Sequence, residues 1–131
     1  MKVIDVVCGI SIDDNGLFLA RRNGGKSNGG LWEFPGGKVD QNENHQKALS
    51  REFLEELNIV VEVKNYFMNS EFILNDEKII LYCYFVNFSS EPKYSNDHDL
   101  LVRVKKDEVL KLKISKADIP FIHKLINDEM I

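Results

Sequence analysis

The sequence has no excess of positive charge and no long apolar run. Its 17 lysine and arginine residues are outnumbered by 21 aspartate and glutamate residues, which gives a formal net charge of -4 at pH 7. Duplex nucleic acid is bound through clustered lysine and arginine, so this balance argues against such a partner. No stretch approaches the length of a transmembrane helix, and the apolar core of a signal peptide is missing. We therefore expect a cytoplasmic protein that contacts neither a membrane nor duplex nucleic acid.

Cysteine is also scarce, and neither of the two cysteines has the neighbours that a zinc site needs. Cys8 and Cys83 both stand in apolar runs, which is typical of reduced thiols in a protein core. Further cysteine or histidine ligands at short spacing are missing. Because the chain is acidic overall, a polyanionic ligand would depend on a few individual cations or on a hard metal ion.

No repeat, low-complexity segment or linker interrupts the chain, so residues 1–131 are predicted to form one domain. Strand patterns outnumber helix patterns and occur in runs, which favours an α/β or α+β layered fold with a mixed sheet between helices. Strands are expected at residues 3–12, 17–20, 59–67, 70–74, 78–88 and 100–104. Helices are expected at 44–57, with Asn44 as the N-cap, and at 119–129, with a helical turn at 107–112. Residues 75–77, Asn-Asp-Glu, are typical of a hairpin turn between the strands at 70–74 and 78–88.

The clearest helix, residues 44–57, carries acidic residues beside its apolar stripe. The stripe consists of Leu49, Phe53 and Leu57. The adjoining face carries Glu52, Glu55 and Glu56. Three close carboxylates repel one another, whereas a hard divalent cation such as Mg²⁺ would turn this repulsion into attraction. The competing interpretation is a solvated acidic helix face without a ligand.

A longer pattern surrounds these glutamates. Residues 37–59 read Gly-x5-Glu-x7-Arg-Glu-Phe-x-Glu-Glu-x-Asn-Ile. This resembles the Nudix box, Gly-x5-Glu-x7-Arg-Glu-U-x-Glu-Glu-x-Gly-U, in which U is a bulky aliphatic residue. Seven positions agree: Gly37, Glu43, Arg51, Glu52, Glu55, Glu56 and Ile59. Phe53 departs mildly at an aliphatic position, and Asn58 replaces the last glycine, where asparagine is the next-best residue for a left-handed helix end.

Segments outside the box extend the resemblance to MutT-type Nudix proteins over nearly the whole chain. They are residues 20–22, 31–38, 98–104 and 117–120, although Arg103 stands where tryptophan is usual. The likeness is greatest to the branch that acts on CTP and on oxidised nucleotides. The resemblance implies the Nudix α/β/α sandwich with a central mixed sheet. It also implies Mg²⁺-dependent hydrolysis of a nucleoside triphosphate to a monophosphate and pyrophosphate in nucleotide-pool sanitation, with Mn²⁺ as an alternative ion.

The resemblance assigns the metal site and the catalytic residues. The implied metal ligands are Glu52 and Glu56, with Glu55 close by, and also Glu43 and the carbonyl of Gly37. Glu52 is favoured as the general base on the attacking water. Arg51 can pair with Glu55 one helical turn later and so orient a ligand. Glu43 would either support the loop through Arg51 or bind a second metal ion.

The nucleotide contacts are predicted outside the helix. Arg22 and Lys38 are candidate phosphate contacts, because phosphate recognition favours cations. The resemblance implies that Asp118 hydrogen-bonds the base, but its place before the last helix is also typical of an N-cap, and both roles stay open. Phe34 is expected to line the base pocket or to pack in the core. His98 is interpreted as a surface or internally satisfied histidine.

Other functions remain compatible with the pattern. One is a Nudix hydrolase for another nucleoside diphosphate derivative, such as a nucleotide sugar or a dinucleotide. Another is a nucleotide-binding regulator without catalysis, although no carboxylate of the box is missing. The expected partner is a small nucleotide. The preferred base, the attacked phosphorus and the choice between monomer and homodimer stay open.

Overall fold

The computed structural model describes all 131 residues as two four-stranded sheets and three helices. The strands are β1 (Lys2–Ile10), β2 (Ile12–Asp13), β3 (Gly16–Arg22), β4 (Trp32–Glu33), β5 (Gly36–Lys38), β6 (Val61–Leu74), β7 (Glu77–Phe88) and β8 (His98–Val104). The helices are α1 (His45–Leu57), α2 (Lys106–Val109) and α3 (Ile119–Asn127). None of the helices combines the length and apolar character that crossing a membrane demands.

The first sheet is mixed, as the sequence predicted. Its strand order is β5-β1-β7-β6, with β1 parallel to β7 and the two outer strands antiparallel to their neighbours. Parallel neighbours need a long crossover connection, and α1 lies within this one. The second sheet is antiparallel, with β3 paired to β2, β4 and β8. The end of β3 and the start of β8 are thereby brought together.

Alternation along β1 divides the core into two layers. Val7 belongs to the buried cluster that includes Phe53 of α1. Cys8 belongs to the cluster that includes Phe121 of α3. Because successive side chains of a strand point to opposite faces, the mixed sheet separates these two layers. Cys8 and Cys83 are both buried free thiols, as expected.

Asparagine residues define both ends of α1. The side chain of Asn44 accepts a hydrogen bond from the backbone N–H of Lys47 at 2.8 Å, which confirms the predicted N-cap. Asn58 takes a left-handed conformation, with φ 55° and ψ 38°, and its N–H donates to the carbonyl of Leu54. The replacement of the usual glycine by asparagine therefore keeps the helix end that the box requires.

The two strands predicted at 59–67 and 70–74 are in fact one strand, β6. Its register with β7 shifts between Val63 and Tyr66 and again between Tyr66 and Met68. Such irregularities absorb extra residues without ending the ladder, so the break suggested by the sequence is only local. Asn75 and Asp76 both have positive φ, and they form the predicted hairpin turn into β7.

Candidate active site

Gly37 lies directly against the carboxylate of Glu52. The glycine is in β5, paired with Val7 of β1, while Glu52 projects from α1. A Cβ atom at position 37 would come within 2.5 Å of both carboxylate oxygens. Only glycine allows this approach, so the first and fourth agreeing positions of the box are coupled by contact. The Glu52 side chain is 13% exposed and thus faces a restricted space.

Arg51 is the centre of the polar network around α1. Its Nε and Nη2 donate to the two oxygens of Glu43 at 2.8 and 2.9 Å, and Nη2 also donates to the carbonyl of Lys38 at 3.0 Å. This bidentate pair, with the N–H of Asp40, lowers the pKa of Glu43 to about 2. Glu43 is therefore ionised and occupied by Arg51, an arrangement that ties the loop after β5 to the helix.

The same guanidinium reaches two further glutamates. Its Nη1 donates to Glu52 at 2.9 Å and to Glu55 at 3.3 Å. The pairing of Arg51 with Glu55 at one helical turn agrees with the sequence prediction. Glu55 is 59% exposed, so it stands at the rim, whereas Glu52 lies inside.

Asp97 completes a carboxylate cluster that sequence reasoning did not find in full. We use this name for Glu43, Glu52, Glu55, Glu56 and Asp97. The carboxylate of Asp97 lies beside that of Glu56 and forms an ion pair with Lys26, 2.9 Å away. Asp97 lies in the loop before β8, outside the box. The only sequence feature that could have marked it as a site residue is a carboxylate in a loop directly before a strand.

Electrostatic repulsion is concentrated at Glu56. Burial and the charges of Glu52 and Asp97 raise its pKa to about 9. Asn96 fixes the loop in this position, since its backbone N–H donates to the carbonyl of Glu56 and its side chain to that of Glu55. A divalent cation would relieve this repulsion, so the donor chemistry fits a hard metal ion.

The carboxylate cluster is not a ready-made metal cage. No three histidine, cysteine, aspartate or glutamate side chains converge as a preformed metal site. Arg51 holds both Glu43 and Glu52 by hydrogen bonds. Mg²⁺ is usually held by one or two carboxylates together with substrate phosphates and water, so the cluster would supply part of the coordination shell and leave positions for water or phosphate oxygens.

A cavity of about 210 Å³ lies beside the cluster. We call it the nucleotide cavity, because it is lined by Arg22, Phe34 and Asp118, which the sequence predicts as nucleotide contacts. Its polar lining includes Arg22, Glu33, Gly37 and Asp118. Phe34 also lines it while packing against Phe121 in the core, with ring centroids 6.4 Å apart. Both roles considered for Phe34 are thus compatible with its place.

Asp118 is buried, and its carboxylate does not cap α3. It occupies the N-cap position without a side-chain cap hydrogen bond. Its Oδ2 instead accepts the backbone N–H of Phe34 at 3.1 Å. The predicted side-chain cap is therefore wrong, because the Asp118 carboxylate accepts from Phe34, which is far away in the sequence, and not from the first turn of α3. Burial and the nearby charge of Glu33 raise the pKa of Asp118 well above its usual value.

The two predicted phosphate contacts lie in different places. Arg22 lines the nucleotide cavity, and its Nη1 is 3.5 Å from Glu33. Lys38 has an exposed side chain and lines a separate open depression with Asp5 and Asp40. The structure thus brings Arg22, but not Lys38, to the cavity that contains Asp118.

Fold and site together define a class of protein. Carboxylates suited to a hard cation, next to a cavity with an arginine, are typical of metal-assisted phosphate hydrolysis. The family model described as NUDIX domain matches residues 2–125. The chain therefore belongs to the Nudix family and is a Nudix hydrolase. Hydrolases of this family generally use divalent metal ions.

Named relatives cover nearly the whole chain. The chain is 34% identical over 122 residues to the CTP pyrophosphohydrolase of Escherichia coli K12, covering 93% of this chain and 90% of the relative. It is 30% identical over 125 residues to the 8-oxo-dGTP diphosphatase of Buchnera aphidicola subsp. Schizaphis graminum, covering 95% of each. The crystal structure of the MutT protein from Methanosarcina mazei Go1 superposes with a TM-score of 0.85 at 22% identity, covering 98% of this chain and 96% of that one. This likeness confirms the MutT-type fold.

Proposed function

We propose that the chain hydrolyses nucleoside triphosphates to nucleoside monophosphates and pyrophosphate with Mg²⁺, and so removes unwanted nucleotides from the pool. The observation that carries this proposal is the position of Gly37. It lines the nucleotide cavity and also contacts the Glu52 carboxylate. A nucleotide whose base occupies the cavity would extend its phosphates across Gly37 to the carboxylate cluster.

In the proposed reaction, Glu52 accepts a proton from the attacking water. The water oxygen forms a bond to the β-phosphorus, and the bond between this phosphorus and the α–β bridging oxygen breaks. The bridging oxygen leaves with the monophosphate, and the rest leaves as pyrophosphate. A bound Mg²⁺ would lower the pKa of the water and neutralise phosphate charge. Glu52 and Glu56, with the carbonyl of Gly37, would hold the ion, and Asp97 lies beside Glu56.

The other site residues have supporting roles in this proposal. Glu43 aligns Arg51, and Arg51 in turn aligns Glu52 and Glu55 through the hydrogen bonds described above. Arg22 contacts phosphate from the cavity wall, and Lys38 remains a predicted phosphate contact from outside it. Asp118 and Phe34 face the base.

Relatives suggest which bases to test. The two curated relatives carry the names CTP pyrophosphohydrolase and 8-oxo-dGTP diphosphatase. Asp118 could accept a hydrogen bond from the amino group of cytosine or from a ring N–H of a guanine-type base. Both classes therefore belong among the proposed substrates, together with 5-substituted deoxycytidine triphosphates. Action on the nucleotide pool also implies the cytoplasm.

The test is the initial rate of pyrophosphate release across normal and damaged nucleoside triphosphates, with Mg²⁺ and Mn²⁺ compared. We expect metal-dependent release from at least one cytosine or oxidised guanine nucleotide. Faster cleavage of nucleotide sugars or dinucleotides would favour the other Nudix activity. Nucleotide binding without release of any product would favour a regulator and contradict the proposal.

A further inference from the structure

His98 lies between the nucleotide cavity and the carboxylate cluster, and its side chain is fully buried. It begins β8, where its backbone pairs with Arg22 of β3. Its Nε2 is 2.9 Å from Oε2 of Glu33, and its Nδ1 is 2.7 Å from Oγ of Ser95. Both ring nitrogens are thus used, one toward each half of the site.

The hydrogen bonds can be completed in a consistent order. The backbone N–H of Asp97 donates to Oγ of Ser95 at 3.2 Å. The hydroxyl of Ser95 can then donate to Nδ1 of His98, and Nε2–H donates to the carboxylate of Glu33. In this arrangement every donor has an acceptor, and the ring nitrogen that carries the hydrogen is the one that faces Glu33.

One end of this chain of hydrogen bonds reaches the wall of the nucleotide cavity. Oε2 of Glu33, which accepts from His98, is also 3.5 Å from Nη1 of Arg22. Both Glu33 and Arg22 line the nucleotide cavity. The orientation of His98 therefore bears on the charge and position of the cavity wall.

The other end reaches the metal-binding side. Ser95 and Asp97 belong to the loop that brings the carboxylate of Asp97 to Glu56. Buried polar groups that lose a partner are costly, so the fully buried imidazole restrains both neighbours at once.

We propose that His98 is a positioning residue that holds both the Arg22–Glu33 wall of the nucleotide cavity and the Asp97 loop of the carboxylate cluster, each through a different ring nitrogen. This inference rests on the proposed function, because its kinetic readout is the release of pyrophosphate. It assigns to the imidazole two separable tasks, one for each nitrogen. Nε2 fixes the wall that meets the nucleotide, and Nδ1 fixes the loop that bears on the metal ion.

Two substitutions separate these tasks. The amide of asparagine takes the place of Nδ1, so His98→Asn keeps the contact with Ser95 and loses the contact with Glu33. The longer amide of glutamine takes the place of Nε2, so His98→Gln keeps Glu33 and loses Ser95. Loss of such outer contacts typically reduces affinity or activity by roughly 10- to 100-fold. We expect about a tenfold higher KM in His98→Asn and about a tenfold lower kcat in His98→Gln, each with the other constant within about twofold.

Binding measurements give a readout that does not need turnover. The chain has a single tryptophan, Trp32, next to Glu33, so nucleotide binding with EDTA can be followed by its fluorescence. Mn²⁺ binding without nucleotide can be followed by electron paramagnetic resonance of the free ion. His98→Asn should weaken nucleotide binding and leave Mn²⁺ binding intact, and His98→Gln should do the reverse. The same substitutions at the exposed His123 of α3 should change neither.

Equal effects of both substitutions on both ligands, or no effect of either, would overturn the assignment of one task to each nitrogen of His98. If a variant of His98 does not fold, Glu33→Gln and Ser95→Ala test the two ends in its place and must affect nucleotide and Mn²⁺ respectively. If the unaltered chain releases no pyrophosphate from any nucleotide, the proposed function fails. The two binding measurements would then still decide the role of His98.

Discussion

The carboxylate cluster and the nucleotide cavity are assembled in different ways. Four of the five members of the cluster come from residues 43–56, and Arg51 connects three of them. The nucleotide cavity is instead lined by residues from β1, β3, β4, β5, β6, β7 and the turn before α3. The cluster is thus a local device attached to one helix, whereas the cavity depends on how distant strands pair. Under the proposed function, the reaction would therefore depend mainly on one helix, and the base preference would depend on the pairing of distant strands.

The largest expected effect is on the cluster alone. Glu52→Gln keeps the size of the side chain but removes the proposed base and a metal ligand, so kcat should fall by about 10²- to 10⁴-fold. Nucleotide binding without metal, measured by fluorescence, should change little. Glu62→Gln, on the exposed part of β6, is the matched control and should leave pyrophosphate release unchanged. Retained activity in Glu52→Gln would remove Glu52 from its proposed role.

Gly37 joins the two regions, so its substitution should disturb both. In Gly37→Ala the new Cβ meets the Glu52 carboxylate, and overpacking of this kind typically costs about 1–3 kcal/mol of the free energy of unfolding. Urea unfolding and pyrophosphate release measure the two consequences. Gly25→Ala is the control, because its Cβ would meet nothing within 4 Å. Equal stability of the two variants would contradict the close approach.

Replacing the hub of the cluster should have a smaller effect. Arg51→Lys loses the bidentate contact with Glu43 while keeping the charge, and we expect activity to fall roughly tenfold. Arg21→Lys alters another bidentate pair, with Asp99 at the surface, and should leave the rate unchanged. A comparable loss of rate in both variants would show that Arg51 has no special place in the site.

The smallest effect concerns stability in the nucleotide cavity. The pKa of Asp118 is higher in the folded state than in the unfolded state. The free energy of unfolding therefore falls as the pH rises above the ordinary pKa of an aspartate, and this loss is absent at lower pH. The amide of Asp118→Asn can still accept the N–H of Phe34 and does not ionise. Its free energy of unfolding at pH 7 should therefore be higher than that of the unaltered chain, by on the order of 1 kcal/mol. The difference should shrink toward pH 4. A difference that grows on acidification would contradict the sign.

Most of the fold and about half of the site could be predicted from the sequence. The helix 44–57, its Asn44 cap and its buried stripe follow from periodicity and capping, which act over one or two turns. The resemblance to the Nudix box likewise depended on residues within a short stretch. The division of β6 was wrong because a local irregularity in the register has the same sequence signal as the end of a strand.

The sequence by itself determined the acidic face of α1 and the family of the chain, because these follow from short-range spacing, and it indicated the mixed sheet through the order of strand and helix patterns. Only the tertiary structure decided that Asp97 meets Glu56, that His98 bridges Glu33 and Ser95, and that Asp118 accepts from Phe34. Each of these contacts joins elements that pair across the chain, and no periodicity encodes which strand end meets which loop. The glutamates of the helix were thus visible in the sequence, while the partner that completes their cluster emerged from folding.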